Sequence, residues 1–260
     1  MPMIQADDGC PIHVELAGRE GAPALMLSNS LGTDLTMWDE QVKPFTEHFR
    51  LIRYDRRGHG QSGVPQGPYS MERLGRDVIA VLDALGVEKT NWCGLSMGGM
   101  VGQWLGANAP ERIEKLVLSN TNSYYEDKNF WHGRIKMVRD KGLEPLVDAN
   151  MARWFTEGFR ARAPQTMQRM TEMLLGTKLP GYIACCEAVR DMDFRESNPR
   201  ITAPTLVIVG AEDAATPPAF GETIRAQIKG AQLASIDAAH IANVEQPEAY
   251  SQAVLDFLLN

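Results

Sequence analysis

The chain is poor in cysteine, in aromatic residues and in positive charge, and it has no long hydrophobic run. Its four cysteines, Cys10, Cys93, Cys185 and Cys186, are too few and too irregular in spacing for a disulfide framework or a zinc-finger set. Adjacent cysteines such as Cys185 and Cys186 strain disulfide geometry, so four reduced thiols packing as small apolar groups are expected. No stretch approaches the ~20 apolar residues of a membrane span. Met1 to Asp8 contains no basic segment followed by an apolar run, so no secretory leader is read there. The expectation is a cytoplasmic protein with no membrane partner. A net charge of −7 argues against nucleic acid, whose partners carry a basic footprint. A small anion is not excluded, because it needs only a local positive patch.

What is present is an ordinary globular composition, 44% hydrophobic and 23% charged, over 260 residues. That length suits one α/β domain with an insertion, or two small domains. Short apolar runs followed by turn residues read as buried strands at 24–28, 51–54, 91–94, 116–119 and 205–210. Asp8-Gly9 and Ala17-Gly18 bracket Pro11 to Leu16, which suggests an N-terminal antiparallel pair. Between the runs lie helical patterns. Ser70 is placed to cap a helix that turns Leu74, Val78, Val81, Leu82 and Leu85 inward and stops at Gly86. Met97 to Asn108 and Glu248 to Leu258 are two more. This alternation predicts an α/β fold, a mostly parallel sheet with helices on both faces.

The rhythm breaks from Thr121 to Arg195, where no strand pattern is found. The segment is rich in aromatics and methionine and carries 12 Lys/Arg against 10 Asp/Glu, although the whole chain is acidic. It reads as a helical cap (121–195) inserted into a core made of 1–120 and 196–260. Its charge points toward an anionic ligand.

Gly94-Leu95-Ser96-Met97-Gly98 has the pattern of a nucleophile elbow, flanked by a strand before and a helix after. On so sharp a turn, side chains two residues before and after the serine would collide, so both positions need to be small. A serine hydroxyl also needs a base within reach. Of the five histidines, His240 follows a strand-like run at 233–237 and precedes the last helix, and it is the candidate base. His13 is expected on the surface of its strand, His48 at a helix end, His132 in the cap and His59 in a structural loop. The acid should fall between serine and histidine. Asp213 follows the apolar run ending at Gly210 and fits, with Glu212 as rival; Asp237 is too close to His240 in sequence. After the preceding strand stands Asn120, which cannot carry the charge. Acyl transfer also needs an oxyanion hole. Its expected backbone donors are the N–H groups of Met97 and Leu31, the latter in the loop Ser28-Asn29-Ser30-Leu31-Gly32.

Four segments carry a resemblance: Asn29-Ser30-Leu31-Gly32-Thr33-Asp34, Asp55-Arg56-Arg57-Gly58-His59-Gly60-Gln61-Ser62, Gly94 through Trp104, and Ala239-His240-Ile241-Ala242-Asn243-Val244-Glu245. They resemble the 3-oxoadipate enol-lactonases, cofactor-free members of the α/β-hydrolase superfamily that act in bacterial breakdown of aromatic compounds. The resemblance covers nearly the whole chain and is weakest in the cap. The chain departs from many relatives at Asn29-Ser30, where those carry His-Gly. The resemblance implies the α/β-hydrolase fold, no metal or other cofactor, and a small anionic lactone as substrate, opened to 3-oxoadipate through an acyl-enzyme on Ser96. The acetate arm of that lactone needs a cation or several donors. Trp131 and Arg134, one helical turn apart in the cap, are the candidates. Oligomeric state is not legible.

A broad carboxylesterase or a perhydrolase-like relative would use the same triad, because fold does not fix substrate. Activity on neutral aryl esters above that on the lactone would mark it. A ligand-binding member of the fold would pair very slow turnover with tight retention.

Overall fold

The computed structural model describes residues 3–260. Met1 and Pro2, which begin the segment read for a leader and the expected core, lie outside the described residues. Strands β1 (Met3–Gln5), β2 (Pro11–Ala17), β3 (Ala24–Ser28), β4 (Arg50–Tyr54), β5 (Thr90–Leu95), β6 (Ile113–Ser119), β7 (Thr205–Gly210) and β8 (Gln232–Ile236) form one sheet. Its order is β1-β2-β4-β3-β5-β6-β7-β8. The pairings β1–β2 and β2–β4 are antiparallel; all the others are parallel. The expected mostly parallel sheet is thus present. The apolar runs explain where the burial falls. Strands β5 and β7 are buried along their whole length, while the edges β1 and β8 keep exposed positions.

The helices are α1 (Asp39–Thr46), α2 (Met71–Ala84), α3 (Met97–Asn108), α4 (Asn129–Lys141), α5 (Val147–Trp154), α6 (Glu157–Arg162), α7 (Pro164–Gly176), α8 (Leu179–Asp191), α9 (Pro218–Gln227), α10 (Ala242–Glu245) and α11 (Pro247–Leu259). Ser70 caps α2 by accepting the Arg73 N–H at 3.1 Å, and Gly86 follows the helix with φ of 65°. Successive residues of a strand face opposite sides of a sheet. In β5, Trp92 meets Gly98 and Gly102 of α3, and Cys93 Sγ lies 3.4 Å from the Tyr250 hydroxyl of α11. Helices therefore cover both faces.

Helices α4 to α8 follow one another between β6 and β7. The ends of this stretch are drawn together by a bridge between Tyr124 and Asp193 and by the Phe194 N–H donating to the Ser123 carbonyl at 2.9 Å.

The chain leaves β3 for β4 on one side and returns to β5 on the other. The order thus reverses between β3 and β5, and a crevice opens where their carboxyl ends diverge. Ser28 and the loop after it leave β3 at this point, and Ser96 leaves β5.

Candidate active site

Ser96 joins β5 to α3 with φ 57° and ψ −114°, a left-handed conformation rare for a residue with a side chain. Its N–H donates to the Ser119 carbonyl at 2.8 Å. Its carbonyl accepts from the Thr121 hydroxyl at 2.7 Å and the Met100 N–H at 3.0 Å. A Cβ on Gly94 would collide with the Gly98 carbonyl, and one on Gly98 would collide with the Ser28 carbonyl. Both glycines are required by backbone rather than by soft side chains.

His240 and Asp213 are each only 3% exposed. The histidine Nδ1 lies 2.8 Å from Asp213 Oδ2. A carboxylate can only accept, so Nδ1 carries the proton of this bond, and in a neutral imidazole Nε2 is then the nitrogen with the lone pair. Asp213 Oδ1 accepts from the Ala215 and Thr216 N–H groups, both at 2.8 Å. Its Oδ2 also accepts from the Thr216 hydroxyl at 2.7 Å and the Asn120 amide at 3.0 Å. Burial alone would push this carboxyl up, but His240 and the surrounding donors outweigh it and hold it below the usual range. The rivals Glu212 and Asp237 are exposed. Asn120, with φ of 46°, stands where an acid would be an alternative and instead supports the acid at 213.

The loop after β3 is held from several directions. Asn29 donates to the Tyr54 carbonyl at 3.2 Å and accepts from Trp38 Nε1 at 3.0 Å. Its own carbonyl accepts from the Gly98 N–H at 3.0 Å and from the Arg56 guanidinium. The Asn29 side chain and carbonyl thus support the loop locally. The Gly32 N–H donates to His59 Nε2 at 3.0 Å. Asp55 Oδ1 accepts the Leu35 N–H at 2.8 Å. Among the described residues the Leu31 N–H meets no backbone acceptor. Met97 is the first residue of α3, where an N–H has no partner within the helix.

His13 corrects the expectation of a surface residue. It is 2% exposed, and its Nδ1 lies 2.9 Å from Asp55 Oδ2. The alternation of β2 puts His13 under the loop 55–62, where a carboxylate satisfies it.

A cavity of about 670 Å³ lies over these groups. Ser96, His240 and Leu31 line it from the sheet side, and Trp131 and Arg134 from α4. Asp213 sits behind His240, and the Met97 side chain is buried in the core; neither lines the cavity. Arg134 Nε donates to the Tyr182 hydroxyl at 2.9 Å, and Nη2 to Asn150 Oδ1 at 2.7 Å. Both partners are neutral, since burial pushes the Tyr182 phenol up. The guanidinium lies within 6 Å of the Phe130, Trp131 and Tyr182 rings, contacts worth about 0.5–1 kcal/mol each. Aromatic faces therefore hold the cation where a carboxylate would have cancelled it.

The His240 loop is tied to the helices above it. The Ile241 N–H donates to the Trp154 carbonyl at 3.0 Å. Glu245 accepts from the Ala239 N–H at 3.0 Å and from the hydroxyl of Thr156, the N-cap of α6. Sequence reasoning missed Thr216 and Asn150, and found Asn120 only as a position without an acid. The only signal for Thr216 is its place in the loop after Asp213. Among the described residues one cluster, Asp7, Asp8 and Asp77, has the spacing of metal ligands. It lies away from the cavity and is taken up by Arg57 and Arg73.

A sheet of this order with a serine on a strained elbow at its switch point defines an α/β hydrolase. A family model described as the alpha/beta hydrolase fold matches residues 23–247. The chain is 42% identical to 3-oxoadipate enol-lactonase 2 of Acinetobacter baylyi, over 91% of this chain and 89% of that one. It is 37% identical to 3-oxoadipate enol-lactonase 1 of the same organism, over 98% and 96%. The crystal structure of the enol-lactonase from Burkholderia xenovorans LB400 superposes with a TM-score of 0.97 at 40% identity, covering 100% of both chains. The chain belongs to the α/β-hydrolase family and, within it, to the group of the 3-oxoadipate enol-lactonases, enzymes of the carboxylic ester hydrolase class.

Proposed function

We propose that this enzyme hydrolyses 3-oxoadipate enol-lactone to 3-oxoadipate in the breakdown of aromatic compounds, as a cytoplasmic protein. The observation that carries the reading is the joining, in one cavity, of an elbow serine and a carboxylate-held histidine with a guanidinium whose partners are neutral. The first two open an ester bond; the third recognises an anion. Among the described residues no helix is long and apolar enough to cross a membrane.

Ser96 Oγ attacks the lactone carbonyl carbon while His240 Nε2 takes its proton. The Leu31 and Met97 N–H groups receive the oxyanion; each such donor is typically worth ~3 kcal/mol in the transition state. The ring C–O bond then breaks. The leaving group is an enolate that stays tethered to the acyl group and needs less help from an acid than an alkoxide does; it takes up the proton that His240 received from Ser96 and becomes a ketone, which leaves His240 neutral again. A water gives its proton to His240 and attacks the acyl-enzyme; the acid is released and Ser96 regains its proton. Asp213 stays charged throughout and holds the imidazole in the required tautomer. The segment 121–195 acts as a cap over the core formed by 1–120 and 196–260. It presents Trp131 and Arg134 to the acetate arm.

The size of the cavity favours a second reading, a broad carboxylesterase, because about 670 Å³ is more than one small lactone fills. The ratio of kcat/KM on the enol lactone, generated in situ, to kcat/KM on neutral aryl esters decides between them. A ratio well above one supports the lactonase; a ratio below one supports the esterase. Arg134→Ala should raise KM for the lactone far more than for a neutral ester. Equal effects on both would remove Arg134 from substrate binding.

A further inference from the structure

Asn150 of α5 is 2% exposed and lines the cavity. Arginine has only donors, so the 2.7 Å contact from Arg134 Nη2 must be to the asparagine oxygen, which fixes the orientation of the amide. Its nitrogen is the free end of the amide; the Tyr182 hydroxyl is its neighbouring oxygen, but among the described residues it makes no hydrogen bond of normal distance and angle. Trp131 Nε1, in a residue 7% exposed, is also buried without an acceptor. Buried polar atoms in folded proteins nearly always have partners, and two such donors on residues that line one cavity call for an acceptor that binds there. The donors belong to α4 and α5, beside a guanidinium without a carboxylate. An acceptor that meets two neutral donors and a cation together is a carboxylate.

We propose that Asn150 determines the charge selectivity of the cavity. Its oxygen orients Arg134, and its nitrogen joins Trp131 Nε1 in binding the carboxylate of the substrate, so that acyl compounds bearing a carboxylate are preferred over neutral ones. This rests on the reading of the cavity given under Proposed function, and it adds the residue whose identity sets the preference. An aspartate of the same shape would keep the bond to Arg134, cancel its charge, and turn an acceptor oxygen toward the substrate in place of a donor.

The test uses matched chromogenic esters, the mono-p-nitrophenyl ester of succinic acid and p-nitrophenyl butyrate, with adipate as a competitive inhibitor. The native enzyme should favour the anionic ester. In Asn150→Asp the ratio of kcat/KM, anionic over neutral, should fall about 100-fold, as like charge set against like charge costs in binding. Most of the fall should lie in KM, and the inhibition constant of adipate should rise in parallel. Asn150→Ala removes the donor without adding charge and should lower the ratio about tenfold, the usual cost of one charge-assisted hydrogen bond. It provides the same measurement if the aspartate variant does not fold. An unchanged ratio in either folded variant, or equal loss on both esters at an unchanged melting temperature, overturns the proposal. Discrimination that follows residue 150 in an enzyme that leaves the enol lactone untouched would keep this inference and reject the lactone as substrate.

Discussion

The backbone N–H of Gly32 donates to His59 Nε2 at 3.0 Å, one residue beyond the Leu31 N–H assigned to the oxyanion. His59, 27 positions downstream of Gly32, thereby fixes the direction of a backbone donor it does not touch. His59→Ala should lower kcat on the lactone about tenfold or more while changing KM little, because a displaced oxyanion donor is felt mainly in the transition state. His59→Gln keeps an acceptor oxygen and should recover part of the loss. A KM effect equal to the kcat effect would contradict this role.

The same bond makes a prediction about pH. Burial, with the Arg56 charge beside it, pushes the His59 imidazole down to about 3 from its ordinary 6.5. Between those values the unfolded chain binds a proton that the folded one refuses, so this residue's contribution to stability is present above pH 6.5 and is lost as pH falls toward 3. Denaturant unfolding followed from pH 7 to pH 4 should give a shallower decline for His59→Gln than for the native protein. Parallel curves would show that His59 does not supply the slope.

Asp213 accepts hydrogen bonds from four groups besides His240. Asp213→Asn should reduce kcat by roughly 10³–10⁴, because an amide can no longer hold the required tautomer of the imidazole. Thr216→Val and Asn120→Ala each remove one donor to the acid and should cost about tenfold, the worth of one hydrogen bond to a charged group. Steady-state kinetics on the lactone and on a neutral ester should show the same losses on both, since neither residue is assigned to the acetate arm.

Two glycines give opposite expectations. Gly98→Ala sets a methyl against the Ser28 carbonyl, a backbone atom that moves only with the loop carrying Leu31. It should cost about 1–3 kcal/mol of stability, as overpacking does, and most of the activity. Gly133 lies in α4 with nothing within 4 Å of its missing Cβ. Gly133→Ala should stabilise the protein by roughly 0.5–1 kcal/mol, the helix propensity difference between glycine and alanine. Chemical denaturation measures both.

The sheet is legible because buried parallel strands must be continuous apolar runs, and β3 and β7 end at the residues where those runs end. The elbow is legible because its steric demand writes two glycines at fixed spacing around Ser96. Contacts between distant segments leave no such mark. Nothing near Asn150 announces that its oxygen will face Arg134, sixteen positions away on another helix. Nothing near His13 announces Asp55; the alternating pattern of β2 fixes which residues share a face but not which face the loop 55–62 will cover. Asn120 was visible only as a missing acid, and its supporting bond to Asp213 exists because β6 and β7 are neighbours in the sheet.

In the mechanism proposed above, Ser96 opens the enol lactone. The direct measurement follows the ultraviolet absorbance of the lactone, generated in situ, with native enzyme and with Ser96→Ala, in the absence of added metal or nucleotide. Rapid loss is expected with the native protein, and loss at the uncatalysed rate with the variant. Undiminished loss with a folded Ser96→Ala protein, or no loss with a native protein that still cleaves aryl esters, would contradict it.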